Sequence, residues 1–218
     1  MECFPLIFAG RVQPMPGDGR PTGMFKLPVR DRVWVGIEGL ATDAQADRRV
    51  HGGPEKAVHQ LPLENHRRLA AAFPDIATRF AAGALGENLS TEGITDEDVA
   101  IGDVFALGAA VIQLNQPRTP CWKINARHGR EGIAAHVERE GLAGWYFRVL
   151  EPGWLSPGDA LRRIARNPSP ISLRRFHALR GERRPLLEAL VQLADTPGLT
   201  PDWQRRLRER LDWLSQNP

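Results

Sequence analysis

Cys121 lies in Asn115–Asn125, NQPRTPCWKIN, where two prolines bracket a turn after a β-prone run and Arg118 and Lys123 flank the thiol. Cations near a cysteine favour the thiolate, the form that ligates metals and attacks electrophiles. A cysteine that opens a helix gains further from the positive helix N-terminus. In Val50–Gln60, VHGGPEKAVHQ, Gly52 and Gly53 separate His51 from Lys56. Paired glycines let the backbone approach a ligand or take φ > 0. Their amides can cradle an anion, with His51 or Lys56 supplying charge or a donor. Leu85–Gly93, LGENLSTEG, supplies Glu87, Asn88, Ser90 and Thr91. These short side chains offer donors and acceptors to a ligand with many polar edges. Each segment also has a plainer reading: a glycine turn entering a strand, a capped loop, and a buried core cysteine.

Other chemistries lack support. There is no G-x-G-x-x-G after a strand, no P-loop, no G-x-S-x-G, no H-E-x-x-H and no C-x-x-C. His51, His59 and His66 do not follow a compact zinc spacing; His59 reads as a strand residue and His66 as a helix-surface residue. Cys3, beside Phe4 and Pro5, reads as core. Two cysteines are too few for a disulfide scaffold. Arginine dominates the basic residues, and only Lys26, Lys56 and Lys123 are lysines. Each retained lysine is therefore a mild pointer to a special position, Lys26 the weakest of the three.

The elements that must position these residues are short. The chain has 218 residues, 42% hydrophobic and 25% charged, which fits a globular protein and disfavours disorder or coiled coil. Its apolar runs fall short of a membrane span, and no export signal precedes them, so a cytoplasmic location is expected. Through residue 170 glycine and proline separate β-prone runs such as DRVWVGIEG, AAVIQLNQ and WYFRVLEPG. VAIGDVFALGAAVIQLNQ reads as a hairpin turning near Gly108. Helices are expected over about Leu63–Phe73 and Glu131–Glu140. Many strands with few helices predict a mainly β fold with helices (α+β), a barrel or sandwich. After Pro170 the apolar period becomes 3.6. Ser172 caps one helix, Glu182–Leu193 forms a second, and Thr200-Pro201-Asp202 starts a third. The division is therefore 1–167 for a β-rich domain and 168–218 for a three-helix domain, with RNPSP, Arg166–Pro170, between them. From Ala160 onward 12 arginines meet 6 acids, while the first 159 residues carry 17 basic and 20 acidic side chains. That basic tail suits an acidic partner or an ordinary solvated helix face; it shows no set of base-reading side chains, so nucleic acid is not expected.

Taken in order, HGGPEKAV, LGENLST, IGDVF and QPRTPCWK resemble the MOSC domain, named after the C-terminal part of molybdenum cofactor sulfurases. The TGMFKLPV and GWYFRVLEPG segments and the helical tail resemble its YiiM-type branch. The resemblance covers essentially the whole chain. It implies a MOSC β-barrel followed by three helices, and a molybdenum cofactor (molybdenum in a pyranopterin dithiolene, molybdopterin). No pyridoxal phosphate is expected, because the sulfurase domain that binds it is missing. The family's metal-ligating cysteine falls on Cys121, which makes it both the metal ligand and the catalytic residue. The expected cofactor-binding residues are His51, Gly52, Gly53, Lys56, Glu87, Asn88, Ser90, Thr91, Arg118, Lys123 and Lys26. Cations and amides would meet the terminal phosphate, and the Glu87–Thr91 set the pterin edges. His51 is the candidate proton donor. The implied activity is reduction of N-hydroxylated compounds, such as hydroxylamines, amidoximes and N-hydroxylated purine bases, by oxygen-atom transfer to molybdenum. Electrons would come from a separate flavin or haem reductase. The alternative is a carrier of the cofactor, or of sulfur on Cys121, without reductase activity. A homodimer is a further expectation, because a small helical segment needs a surface to pack on.

Overall fold

The computed structural model describes residues 1–168 and 170–217. Ser169, inside the expected domain boundary, and Pro218 lie outside the described residues. The frame is a nine-stranded sheet. From one edge to the other its strands are Glu2–Cys3, Leu161–Ala165, Val104–Leu107, Ala110–Pro117, Trp145–Glu151, Val58–Pro62, Leu89–Thr91, Leu6–Ala9 and Leu27–Pro28. Every neighbouring pair is antiparallel except Val58–Pro62 with Leu89–Thr91. The Val104–Leu107/Ala110–Pro117 hairpin turns at Gly108, whose φ of 57° suits a residue without a Cβ.

Two smaller sheets flank this frame, Gly153–Leu155/Val33–Gly36/Gly39–Leu40 and Gln13–Pro14/Pro21–Thr22. In the first, Trp34 and Trp154 pair across the strands and their rings meet edge-on at 5.4 Å.

A closed barrel was expected, but the strand order is open. No pairing joins Glu2–Cys3 to Leu27–Pro28 among the described residues. Both end strands are two residues long and expose few backbone groups with which to close the sheet. The architecture is thus mixed α and β, a large sheet with helices on it.

Burial explains the layers. All five residues of Val58–Pro62 are buried, as a strand covered on both faces requires. Beside this strand, Met24, Leu61, Leu69, Phe80, Leu85, Ile124, Ile133 and Val137 form one apolar cluster under the helices Leu63–Ala72, Lys123–His128 and Ile133–Glu140. A second cluster joins Phe105, Ile112, Phe147 and Leu155 of the strands to Leu173, Phe176, Leu190, Leu193, Trp203 and Leu207. Fully burying each of these large side chains contributes about 1.5–3 kcal/mol.

The C-terminal helices are Leu173–Gly181, Leu187–Ala194 and Pro201–Gln216. Ser172 and Thr200 cap the first and third by accepting from Arg175 N and Trp203 N. The second begins five residues later than the periodicity suggested, after Pro185, which cannot donate within a helix. All three pack into the core shared with the sheet, so the surface that the tail requires is provided within the chain. No described helix is long and apolar enough to cross a membrane.

Candidate functional site

Backbone architecture brings distant segments to one pocket, partly open to solvent and about 580 Å³ when the solvent at its mouth is counted. Ala110–Pro117 delivers the first of them. Its last residue is Pro117, and Arg118 N then donates to Gly144 O at 3.0 Å, tying the turn to the start of Trp145–Glu151. Thr119 and Pro120 end the extended run, and Cys121 stands just before the short helix Lys123–His128. Its free thiol is half-buried and lines the pocket.

Arg118 is 8% exposed, and its Nη1 is buried without a hydrogen-bond partner. A buried guanidinium N–H left unpaired is costly, and the Arg118 side chain lines the pocket, where it can meet an anionic or carbonyl ligand. Tyr146 lies beside Arg118 in the same wall. Lys123 Nζ donates to Pro21 O at 2.8 Å, and Lys56 Nζ donates to Val50 O at 2.5 Å. Neither lysine has a carboxylate partner among the described ion pairs.

The other wall holds a buried pair. Lys26 Nζ meets Asp43 Oδ2 at 2.6 Å, with side chains 7% and 1% exposed. Asp43 also accepts from Asn88 Nδ2 at 3.0 Å and from Gly10 N at 2.9 Å. Burial pushes the Lys26 ammonium below its ordinary pKa, and Asp43 opposes that shift. Four cations, Lys26, Lys56, Arg118 and Lys123, thus line the pocket against one carboxylate, which Lys26 already engages. The surplus charge is positive.

Of the residues singled out in the sequence, Lys26, His51, Lys56, Asn88, Arg118, Cys121 and Lys123 line the pocket. Gly52 and Gly53 do not, although Gly53 takes a φ of 85° and shapes the loop that carries its neighbours. Glu87, Ser90 and Thr91 also stand outside it. Glu87 is fully buried and accepts from His66 Nε2 at 2.7 Å, Gly83 N at 2.6 Å, Ser90 Oγ at 2.8 Å and Leu85 N at 3.0 Å. Its carboxyl is held down to about 2: burial raises it, but the His66 hydrogen bond and charge outweigh that. Thr91 Oγ1 accepts from Gln60 Nε2 at 2.8 Å. These polar side chains satisfy the protein's own groups, as buried polar atoms must. The amide of Asn88 is likewise used, by His59 N, Phe8 O and Asp43.

The histidines depart from expectation too. His66 is buried against Glu87 and is not on a helix surface. His59 is a strand residue, but buried and in the pocket wall; its Nε2 bonds Ala143 O at 2.8 Å and its ring lies 5.2 Å from that of Tyr146. Burial first, then Arg118, Lys123 and Lys56, lowers the pKa of His51.

Sequence reading missed Thr22, Asp43, Gln45 and Tyr146, which also line the pocket. Asp43 carried a faint signal as an acid within TDAQADRRV. Tyr146, the single tyrosine in the chain, carried a stronger one. No group of three or more His, Cys, Asp or Glu that could hold a metal ion occurs among the described residues. A metal here would need ligands from a cofactor. The donor set suits such a group: a thiol whose sulfur can serve as a soft ligand, a buried unpaired guanidinium N–H, and lysines with no carboxylate in ion-pair reach among the described residues, for a phosphate.

Comparison with known proteins places this chain in a family. The MOSC domain model matches residues 47–162, which include the His51–Lys56 loop, Arg118 and Cys121. The chain belongs to the MOSC domain family. Within that family it falls in the YiiM-type branch. It is 34% identical over 204 residues to Protein YiiM of Escherichia coli (strain K12), covering 94% of this chain and 90% of that protein. It is 35% identical over 208 residues to the uncharacterized protein YflK of Bacillus subtilis (strain 168), covering 94% and 92%. A protein of Gibberella moniliformis named "Reductase" is 32% identical over 206 residues, 92% of this chain and 36% of that longer protein. Among solved structures, YiiM from Escherichia coli superposes with a TM-score of 0.81 at 28% identity, over 97% of this chain and 92% of that one. YiiM from Geobacillus stearothermophilus gives 0.80 at 29%, over 97% and 100%.

Proposed function

We propose that this protein is a molybdenum-cofactor-dependent reductase of N-hydroxylated compounds, with the cofactor seated in the Cys121 pocket. The observation that carries this reading is the joint presence, in one cation-rich pocket, of a free half-buried thiol and the buried unpaired Nη1 of Arg118. Family membership and the relative named a reductase support it.

Such a cofactor, when bound, supplies two-electron reduction with acceptance of an oxygen atom. The chain's own residues do the rest. Cys121 offers its sulfur as the protein ligand to the metal. Arg118, Lys123 and Lys56 neutralise the phosphate of the pterin and fix its orientation. Asp43 holds Lys26 and Asn88 in place along that wall. The net reaction converts R–NHOH, two electrons and two protons to R–NH2 and water. The electrons come from a separate flavin or haem protein.

The test uses protein made in a host that synthesises the cofactor. Metal and pterin analysis should find molybdenum and molybdopterin, and a chemical reductant should drive conversion of a hydroxylaminopurine to its amine. Cys121→Ser should abolish turnover while the chain remains folded. Full activity in a metal-loaded Cys121→Ala protein rejects the assignment. Tight cofactor binding with no turnover of hydroxylamines, amidoximes or N-hydroxylated bases would favour a carrier instead.

A further inference from the structure

Glu55 belongs to the loop that carries His51 and Lys56 into the pocket, yet it does not line that pocket. It collects five hydrogen bonds from two sheet strands. Arg148 Nη2 and Nε donate to its Oε2 at 2.6 and 3.0 Å. Asn115 Nδ2 donates to the same oxygen at 2.7 Å and to the Glu55 carbonyl at 2.9 Å. Gln116 Nε2 donates to that carbonyl at 2.7 Å. The backbone and side chain of one residue are thus gripped together.

The rest of the loop is held by exposed contacts, the Arg48–Glu38 and Arg49–Asp47 ion pairs. Arg48–His51 is a single helical turn with no buried residue, and Pro54–Lys56 is one 3-10 turn. Between them Gly53 has φ of 85° and open space about it. Lys56 Nζ binds only a carbonyl of the same loop. The grip also has a far anchor. Asn115 O accepts from Thr200 N at 3.2 Å, and Thr200 caps the last helix, Pro201–Gln216. A continuous polar path therefore runs from the C-terminal helices through Asn115 to Glu55.

We propose that Glu55 is a positioning residue of the pocket, acting through Arg148, Asn115 and Gln116 to hold the His51–Lys56 loop in its ligand-ready place. The role rests on the pocket being the functional site. Charge-assisted bonds suit this purpose, being the strong and geometrically demanding kind.

The test compares cofactor-loaded wild type, Glu55→Ala, Glu55→Gln and Arg148→Met. Amide hydrogen exchange is read across residues 50–57 and in the core strand Val58–Pro62, and molybdenum retention is read through gel filtration. In Glu55→Ala, exchange in the loop should rise about tenfold or more, with core amides little changed. Molybdenum retention should fall in parallel. Glu55→Gln keeps an oxygen that accepts from Asn115 and Arg148 but gives up the charge, so it should recover part of both readings, and Arg148→Met should resemble Glu55→Ala. Wild-type loop exchange in Glu55→Ala overturns the proposal. So does a rise shared equally by loop and core, which marks a general loss of stability. If the wild type binds no molybdenum, the proposed function fails, while loop exchange still decides the role of Glu55.

Discussion

Asp43→Ala removes the one carboxylate of the pocket and leaves the Lys26 ammonium buried without a counter-charge. The side chains of this pair are 7% and 1% exposed, and their N···O distance is 2.6 Å. Breaking a buried pair by deleting one partner costs about 3–5 kcal/mol. An independent bound agrees. The variant can escape by folding with Lys26 neutral, and deprotonating a lysine of ordinary pKa 10.5 at pH 7 costs about 5 kcal/mol. Asn88 Nδ2 and Gly10 N also lose an acceptor. The assay is urea unfolding of wild type, Asp43→Ala and Asp43→Ala/Lys26→Met. At pH 7 the single variant should lose about 3–5 kcal/mol, a fall in Tm of about 6–20 °C for a chain of this size. The double variant should regain the charge share and keep a deficit of about 1–3 kcal/mol for the stranded donors. Raising the pH should shrink the single variant's deficit. Losing Asp43 drives the folded pKa of Lys26 further below its unfolded value than in the wild type, so the variant's stability rises with pH more steeply. A loss under about 1 kcal/mol, or a deficit that ignores pH, would refute this account of the pair.

Acid should unfold the protein in two windows. His128 and His177 are pushed down to about 4, chiefly by burial, so the unfolded chain takes up their protons first and stability falls from about pH 6.5 to 4. Glu87, held to about 2 against an ordinary 4.5, contributes stability above 4.5 that is lost as pH falls from 4.5 toward 2. Glu87→Gln should flatten the lower limb in a circular-dichroism titration; an unchanged lower limb contradicts the network. Gly144→Ala would place a Cβ 2.0 Å from Gln60 O at a φ of 75°. It should cost several kcal/mol or prevent folding, and a Tm within a degree or two of wild type would show that the close approach of these segments is wrong.

Much of the local structure was legible in the sequence. The Gly108 hairpin, the Leu63–Ala72 and Ile133–Glu140 helices and the Ser172 and Thr200 caps follow from period, glycine and capping chemistry. Leu89–Thr91 was hidden because its three residues, Leu, Ser and Thr, read as a polar loop. It is a strand because Val58–Pro62 and Leu6–Ala9 offer it partners on both sides.

Sequence alone determined which side chains could do the chemistry. Cys121 with its flanking cations, and the glycine-broken His51–Lys56 loop, are local facts of spacing, as is the family likeness they carry. The tertiary structure decided which of them meet. Lys26, Asp43 and Tyr146 join Cys121 through strand pairings and loop contacts between segments far apart in the chain. It also turned Glu87, Ser90 and Thr91 inward, because their loop's amides and His66 had no water to bond and took those oxygens instead. Period and propensity act over a few residues, whereas the need to satisfy every buried polar group is settled only when distant segments close on one another.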